Sequence, residues 1–312
     1  MTHPVVPNFL IIGAAKCGTT SVHAYLSRHP EAFLPGIKEP NFFGRSLFGG
    51  ITTRQEYLSL FKDACGFKAV GEASTAYLCD ERAAGAIRAF LGPQVKLVAF
   101  LRHPVDMMNS LWGRQVRLRT EPLDFMEAVA AAPARLADPR FHHTCGDEPR
   151  NFDYVRRGRY AAQLRRYFEL FPRDNIRVFL FEEFFRPGLP QWPALCDFLG
   201  IARTDPPSAV RLNPAGSSRT LLWHRLRMRH PRLRAVVRAT TTVDLRRRIK
   251  SRIEKLDRVA HEIPRPTPEQ RAELERLFYD DVEELERMLG RSIADVWFSR
   301  KTGLAAPVRA AS

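Results

Sequence analysis

Residues 7–20 constrain the fold more tightly than any other part of the 312-residue chain. Pro7-Asn-Phe-Leu-Ile-Ile-Gly13 is an apolar run ending at glycine, the pattern of a strand buried on both faces. A short loop with a second glycine, Gly18, follows at once. From Thr19 the residues Val22, Tyr25 and Leu26 recur at helical spacing until His29-Pro30 stops the helix. A strand that turns straight into a helix is a unit of parallel α/β sheets. Residues 95–101 and 176–181 read as further buried strands and 69–71 as a short one. Helical patterns cover 54–61, 81–91, 104–119, 154–171 and 192–199. The alternation predicts an α/β fold of three layers, a central parallel sheet flanked by helices.

The last third reads differently. From about residue 219 the pattern is helical, interrupted at Pro231 and again at Pro264-Arg-Pro-Thr-Pro268. Thr267-Pro268-Glu269 is a helix start, with Thr as N-cap, Pro in the first position and an acid in the first turn. One helix is expected from there, with Leu274, Leu277, Phe278, Val282, Leu285 and Leu289 as its apolar stripe and Gly290 as its end. Residues 132–151, rich in Pro, His and Asp, read as an extended surface loop. The expected organisation is one domain over 1–312, with an α/β core at 7–220 and a helical C-terminal part at 221–312.

Charge narrows the class of partner. The formal net charge is +15. Residues 219–258 hold fourteen Lys/Arg against three Asp/Glu, so most of the excess lies in forty residues. An Arg-rich stretch of this kind is a solvated helical face or a contact for an anionic partner such as a glycan, lipid surface or nucleic acid. Trp223 is its one aromatic residue, which argues against a base-stacking platform and makes nucleic acid the weaker choice. The five cysteines (17, 65, 79, 145, 196) are odd in number and lack a CxxC pair, which argues against a disulfide framework or zinc knuckle. No apolar run is long enough for a membrane span, and residues 1–13 lack a signal-peptide pattern. The expected compartment is the cytoplasm. His142, His143, Cys145 and Asp147 fit no common zinc spacing and read as a surface cluster; no metal is expected.

Gly13-Ala14-Ala15-Lys16-Cys17-Gly18-Thr19-Thr20 has the makings of an anion cradle. Its glycines let the backbone wrap closely, and the following helix offers free N–H groups and the positive end of its dipole. The spacing is P-loop-like, but Thr19 stands where GxxxxGK[ST] has lysine. With the cation moved forward to Lys16, the loop suits a mixed anhydride better than a magnesium triphosphate. Cys17, a small residue at a helix start where a thiol pKa can fall, reads first as a packing residue. Arg102 follows a buried strand and so belongs at the carboxyl edge of the sheet, where α/β proteins bind ligands. Ser110, two helical turns on, can serve the same anion. His103, before a proline, reads as structural.

Residues 9–21 resemble the 5′-phosphosulfate loop of sulfotransferases that use 3′-phosphoadenosine 5′-phosphosulfate (PAPS). Lys96-Leu-Val-Ala-Phe-Leu-Arg102-His-Pro104, with Ser110, resembles that family's 3′-phosphate site, and Lys38-Glu39-Pro40-Asn41-Phe42-Phe43 its lysine–glutamate segment. The similarity is greatest to carbohydrate sulfotransferases of the heparan sulfate type and their bacterial relatives, and spans about residues 7–220. It implies a PAPS-dependent transfer of a sulfuryl group to a hydroxyl or amine, on a glycan or glycolipid acceptor. Glu39 would be the base, Lys16 would stabilise the transferring group, and Lys38 would assist. The loop 13–20, Arg102, Ser110 and, in the segment Asn213-Pro-Ala-Gly216-Ser-Ser-Arg219, Arg219 would hold the nucleotide. Glu72, after a short strand, is a second candidate base facing the same cleft. Two departures are Ala73, where heparan sulfate enzymes carry lysine, and Met107, where many relatives carry a basic residue. The alternatives are a small-molecule or nucleotide kinase and a nucleic-acid binder acting through 219–258.

Overall fold

Strand β1 (Phe9–Gly13) is buried at every position, as an uninterrupted apolar run requires. The computed structural model describes residues 5–44, 50–205 and 263–298. Among them β1 is joined by β2 (Ala32–Phe33), β3 (Ala69–Ala73), β4 (Lys96–Leu101) and β5 (Ile176–Leu180) in one five-stranded sheet, order β2-β3-β1-β4-β5. Every pairing is parallel. Asn8 sets the register of the central pair: its side chain accepts from Val70 N at 2.9 Å and donates to Lys68 O at 2.7 Å. The strand order reverses direction around β1, because β2 and β3 lie on one side and β4 and β5 on the other. Such a switch point leaves a crevice at the carboxyl ends of the strands.

The sheet is flanked first by α1 (Thr19–Leu26), α2 (Arg54–Ser59), α3 (Ala76–Cys79), α4 (Ala83–Leu91) and α5 (Pro104–Arg117). Next come α6 (Phe125–Ala137), α7 (Pro139–Thr144), α8 (Tyr154–Gly158), α9 (Tyr160–Leu170), α10 (Phe181–Phe184) and α11 (Trp192–Leu199). The described C-terminal helices are α12 (Pro268–Arg276), α13 (Tyr279–Leu289) and α14 (Ala294–Trp297). No described helix is long and apolar enough to cross a membrane. The α/β fold with a parallel sheet is as expected, and β3 runs two residues beyond its predicted end.

Three readings need correction. Residues 132–151 are not an extended loop: they hold the end of α6, all of α7 and a 3₁₀ turn at Pro149–Phe152. Asp124 and Glu127 form a capping box that starts α6, and Asp138 caps α7, so local capping outweighed the Pro-rich composition. The expected helix over 154–171 is two, divided at Arg159, whose φ/ψ of −80°/81° is not helical. The single helix after Thr267 is likewise two, divided at Leu277–Phe278. Its start was read correctly: Thr267 and Gln270 form a capping box with Pro268 in the first turn. The basic stretch 219–258 lies outside the described residues.

The break at Phe278 follows from packing. Its ring is fully buried and meets Gly158, where a Cβ would lie 2.7 Å from Cε1. His103 ties the same region together. Its backbone N donates to Glu182, Nδ1 accepts from Val105 N at 3.2 Å, and Nε2 stands 3.0 Å from Glu275 of α12. Arg271 bridges Asp106 of α5 and Glu275. The described C-terminal helices therefore pack directly on the α/β core. Replacing Phe278 by Ala should cost about 3–5 kcal/mol in a urea titration followed by both far-UV circular dichroism and tryptophan fluorescence. The two probes should shift together; loss from the C-terminal helices alone would show as separate transitions.

Candidate active site

Backbone hydrogen bonds that continue the sheet past its strand ends bring the predicted motifs to one edge. Ala14 N donates to Phe100 O at 2.7 Å, Ser74 N to Ile11 O at 3.1 Å, and Glu39 N to Ala73 O at 2.9 Å. The 13–20 loop, Arg102 and the Lys38–Glu39 segment thus stand at the carboxyl ends of β1, β4 and β3, the three adjacent central strands.

In the loop, Gly13 closes β1 under Leu78, where a Cβ would approach Leu78 Cβ to 2.6 Å. Lys16 and Gly18 adopt positive φ, 65° and 82°. At Gly18 this requires glycine, and a side chain would also strike the Phe185 ring at 2.3 Å. The amides of Lys16, Cys17 and Gly18 donate no hydrogen bond among the described residues, and α1 opens at Thr19 with its first amides free of helical partners. Thr19 is buried and Thr20 exposed. Cys17 points inward, donating to Ala15 O at 3.3 Å and standing 3.9 Å from Tyr160 Oη. It is fully buried, in keeping with the packing reading, and burial pushes its thiol pKa up to about 12, so desolvation outweighs the helix start.

Arg102 stacks on Phe181 with its guanidinium carbon 4.7 Å from the ring centroid. Its Nη1 is 3.5 Å from Lys16 O, its carbonyl accepts from Tyr160 Oη at 3.0 Å, and its buried Nε has no partner. Ser110 lies on α5 and its hydroxyl has no partner among the described residues. One and two turns further on the same helix face stand Arg114 and Arg117, at i+4 and i+7 from Ser110. Both act on Lys16: its ammonium pKa is lowered to about 8, first by desolvation and then by the charges of Arg114, Arg117 and Arg102. Four cations thus converge on the loop. Arg114 pairs with Asp147; Arg117 has no carboxylate partner among the described residues. Arg114 and Arg117 were not singled out from the sequence, although their spacing from Ser110 is the signal that would have found them.

Glu39 has a positive φ of 61°. Its carboxylate accepts from Thr75 N at 2.8 Å and Thr75 Oγ1 at 3.1 Å, and Lys38 Nζ contacts Oε1. The side chain remains 34% exposed, which leaves the carboxylate open to a ligand. Glu72 does not face this cleft. It is fully buried, and its oxygens accept from Ser74 Oγ at 2.9 Å and Tyr77 Oη at 2.7 Å. Burial raises its pKa to about 8. Ser74 and Tyr77 in turn accept from Asn41 N at 3.1 Å and Phe42 N at 3.0 Å. Glu72 therefore holds the strap that carries Glu39. The His142–Asp147 cluster lies only in part at the surface: His143 is exposed, but Cys145 is buried, Asp147 binds Arg114, Gln115 and Asn151, and His142 Nε2 lies 2.8 Å from Leu136 O. No group of His, Cys, Asp and Glu that could hold a metal occurs among the described residues. Arg219 lies outside them.

A family model described as "Sulfotransferase domain" matches residues 6–257. Carbohydrate sulfotransferase 15 of Mus musculus is 30% identical over 171 residues, covering 41% of this chain and 30% of that protein. Heparan sulfate glucosamine 3-O-sulfotransferase 6 of Homo sapiens is 27% identical over 197 residues, covering 63% of this chain and 53% of that protein. The chain thus spans about a third to a half of the curated relatives' length. Among solved structures, a sulfotransferase from Alicyclobacillus acidocaldarius superposes with a TM-score of 0.69 at 29% identity, covering 94% of this chain and 99% of that one.

The cation cluster has a measurable consequence. Because the folded pKa of Lys16 lies below its ordinary value of 10.5, the unfolded chain binds more protons between about pH 8 and 10.5, and this residue's contribution to stability rises with pH in that window. Lys16→Met should therefore raise Tm at pH 7, and the difference should shrink as pH approaches 10. A substitution that lowers Tm equally at both pH values would show that Lys16 is not desolvated among like charges.

Proposed function

The chain belongs to the sulfotransferase domain family, and on that premise we propose that it transfers a sulfuryl group from PAPS to a hydroxyl or amine of a carbohydrate or glycolipid acceptor. The relatives named for carbohydrate and heparan sulfate sulfation support the acceptor class. The observation that carries the donor is the convergence of Lys16, Arg102, Arg114 and Arg117 on a loop with unpaired amides, with the buried Arg102 Nε unpartnered. Those groups fit an anionic ligand at the loop and the start of α1.

When bound, PAPS would supply an electrophilic sulfuryl group on a phosphate leaving oxygen. Residues 13–20, with Lys16 and the α1 N-terminus, would hold the phosphosulfate and stabilise charge developing on that oxygen. Arg102 and Ser110 would hold the 3′-phosphate, and Arg219 would close over the nucleotide. Glu39 would accept the acceptor proton as the new oxygen–sulfur bond forms. Thr75 and Lys38 fix its carboxylate before the reaction, so little reorganisation is needed then. A metal has no assigned part in these roles. A kinase would need a lysine where Thr19 stands. An anionic surface contact through 219–258 remains part of the proposal, as does a reducing cytoplasm, in keeping with five free cysteines.

The test is a coupled assay of purified variants with PAPS and a panel of glycans and glycolipids. Glu39→Gln should lose turnover by at least ~10²-fold, the scale of a removed general base, and retain affinity for adenosine 3′,5′-bisphosphate. Lys16→Ala should lose both. Full activity of a correctly folded Glu39→Gln would remove Glu39 as the base, and undiminished nucleotide affinity of Lys16→Ala would remove the loop as the phosphosulfate site.

A further inference from the structure

Beyond the strand-edge site, the end of α3, the turn at residues 80–82, and α6, α8 and α9 line a cavity of about 780 Å³. Six arginines face it against three carboxylates. The carboxylates already have partners. Asp80 pairs with Arg150 at 2.7 Å, Glu81 pairs with Arg156, and Asp153 caps α8 by accepting from Arg156 N. The cationic excess of three therefore falls on Arg82, Arg157, Arg159 and Arg166, with the Asp153 charge acting on Arg157 and Arg159 among them. Arg157 is the most telling of them: it is 6% exposed, and its side chain donates to the thiol of Cys79, a weak acceptor. No carboxylate touches it among the described residues. Arg166 donates to Leu78 O at 2.9 Å and Ala162 O at 3.3 Å, and its buried Nε has no partner. A buried guanidinium with no carboxylate in contact, offset only by the charge of Asp153 nearby, costs folding free energy that an anionic ligand would relieve.

We propose that this cavity is an anion subsite for the acceptor, binding a sulfate or carboxylate already present on a saccharide chain some units away from the group offered to Glu39. The inference rests on the carbohydrate reading of the acceptor. Three features favour a saccharide over a free anion. The volume, about 780 Å³, falls in the range of ~300–1,000 Å³ typical of sites for whole small molecules. Glu81 and Asp153 add acceptors for sugar hydroxyls beside the guanidinium groups. The cavity and the catalytic strap also share a wall: Asp80 lines the cavity, and a Cβ on Gly44 would lie 3.4 Å from its carboxylate. Gly44 directly follows the segment that carries Glu39. Arg82 and Arg159 are exposed and form no ion pair among the described residues, which places them to meet a charged chain at the rim.

The experiment is isothermal titration of a heparin-derived tetrasaccharide into the full chain saturated with adenosine 3′,5′-bisphosphate, with uncharged chitotetraose as control. The wild type should bind the sulfated sugar and not the control. The rim variant Arg82→Ala/Arg159→Ala should bind it at least ~10-fold more weakly, a loss on the scale of a pair of charge-assisted contacts, while the nucleotide raises Tm as in the wild type. Arg157→Met should abolish sugar binding without lowering Tm; if that variant fails to fold, the rim variant decides. Equal binding by the rim variant and the wild type would overturn the subsite. So would absence of sugar binding by a wild type that still responds to the nucleotide, which would leave the donor reading standing. Failure of the wild type to bind either ligand would overturn both.

Discussion

Three backbone hydrogen bonds, from Ala14 N to Phe100 O, Ser74 N to Ile11 O and Glu39 N to Ala73 O, carry the parallel ladder past the ends of β1, β3 and β4. Each strand then leaves the sheet in its own way: as a glycine loop, as a turn into α3, or as the residue before α5. Because the three strands are adjacent and parallel, their exits share one edge, and the groups just beyond them meet there. The switch of strand order around β1 keeps that edge clear of crossover connections. The site is thus a consequence of topology, and the side chains add the chemistry.

Those side chains are arranged at some cost to the folded state. Lys16 is buried near Arg102, Arg114 and Arg117, and its lowered pKa records first its desolvation and then the repulsion. Glu72 is buried with no cation in contact, and burial raises its carboxyl pKa from 4.5 to about 8, so its contribution to stability is full below pH 4.5 and is lost as pH rises towards 8. What it secures is the strap: Ser74 and Tyr77 pass its hydrogen bonds on to Asn41 and Phe42, and Glu39 is placed by that strap and by Thr75. Arg157, buried with no carboxylate in contact, follows the same logic in the cavity. Unfavourable charge collects where an anionic ligand would relieve it, as at many binding sites.

Much of this was legible in the sequence, because apolar runs and glycine punctuation report directly on parallel strands and their exits. The 13–20 loop, Arg102 at a strand end and the Thr267 helix start all lie where the pattern put them, whereas the Lys38–Glu39 segment was placed only by the family resemblance. The failures have particular causes. Composition alone made a loop of 132–151, where the Asp124–Glu127 and Asp138 caps build helices. Periodicity continued through Arg159 and Phe278, where tertiary packing bends the chain and the apolar stripe carries no sign of it. Glu72 carries nothing in its local sequence to distinguish a cleft residue from a buried one. Arg114 and Arg117 needed only the step from Ser110 along a helix face.

The central claim is that this strand edge recognises a nucleotide by its 3′-phosphate, and calorimetric titration with adenosine 3′,5′-bisphosphate against ADP, in wild type and Arg102→Met, tests it most directly. The bisphosphate should bind the wild type at least ~10-fold more tightly than ADP, about 1.4 kcal/mol, and Arg102→Met should erase that preference while binding ADP as before. Equal affinity for both nucleotides in the wild type, or a preference that survives the loss of Arg102, would contradict it.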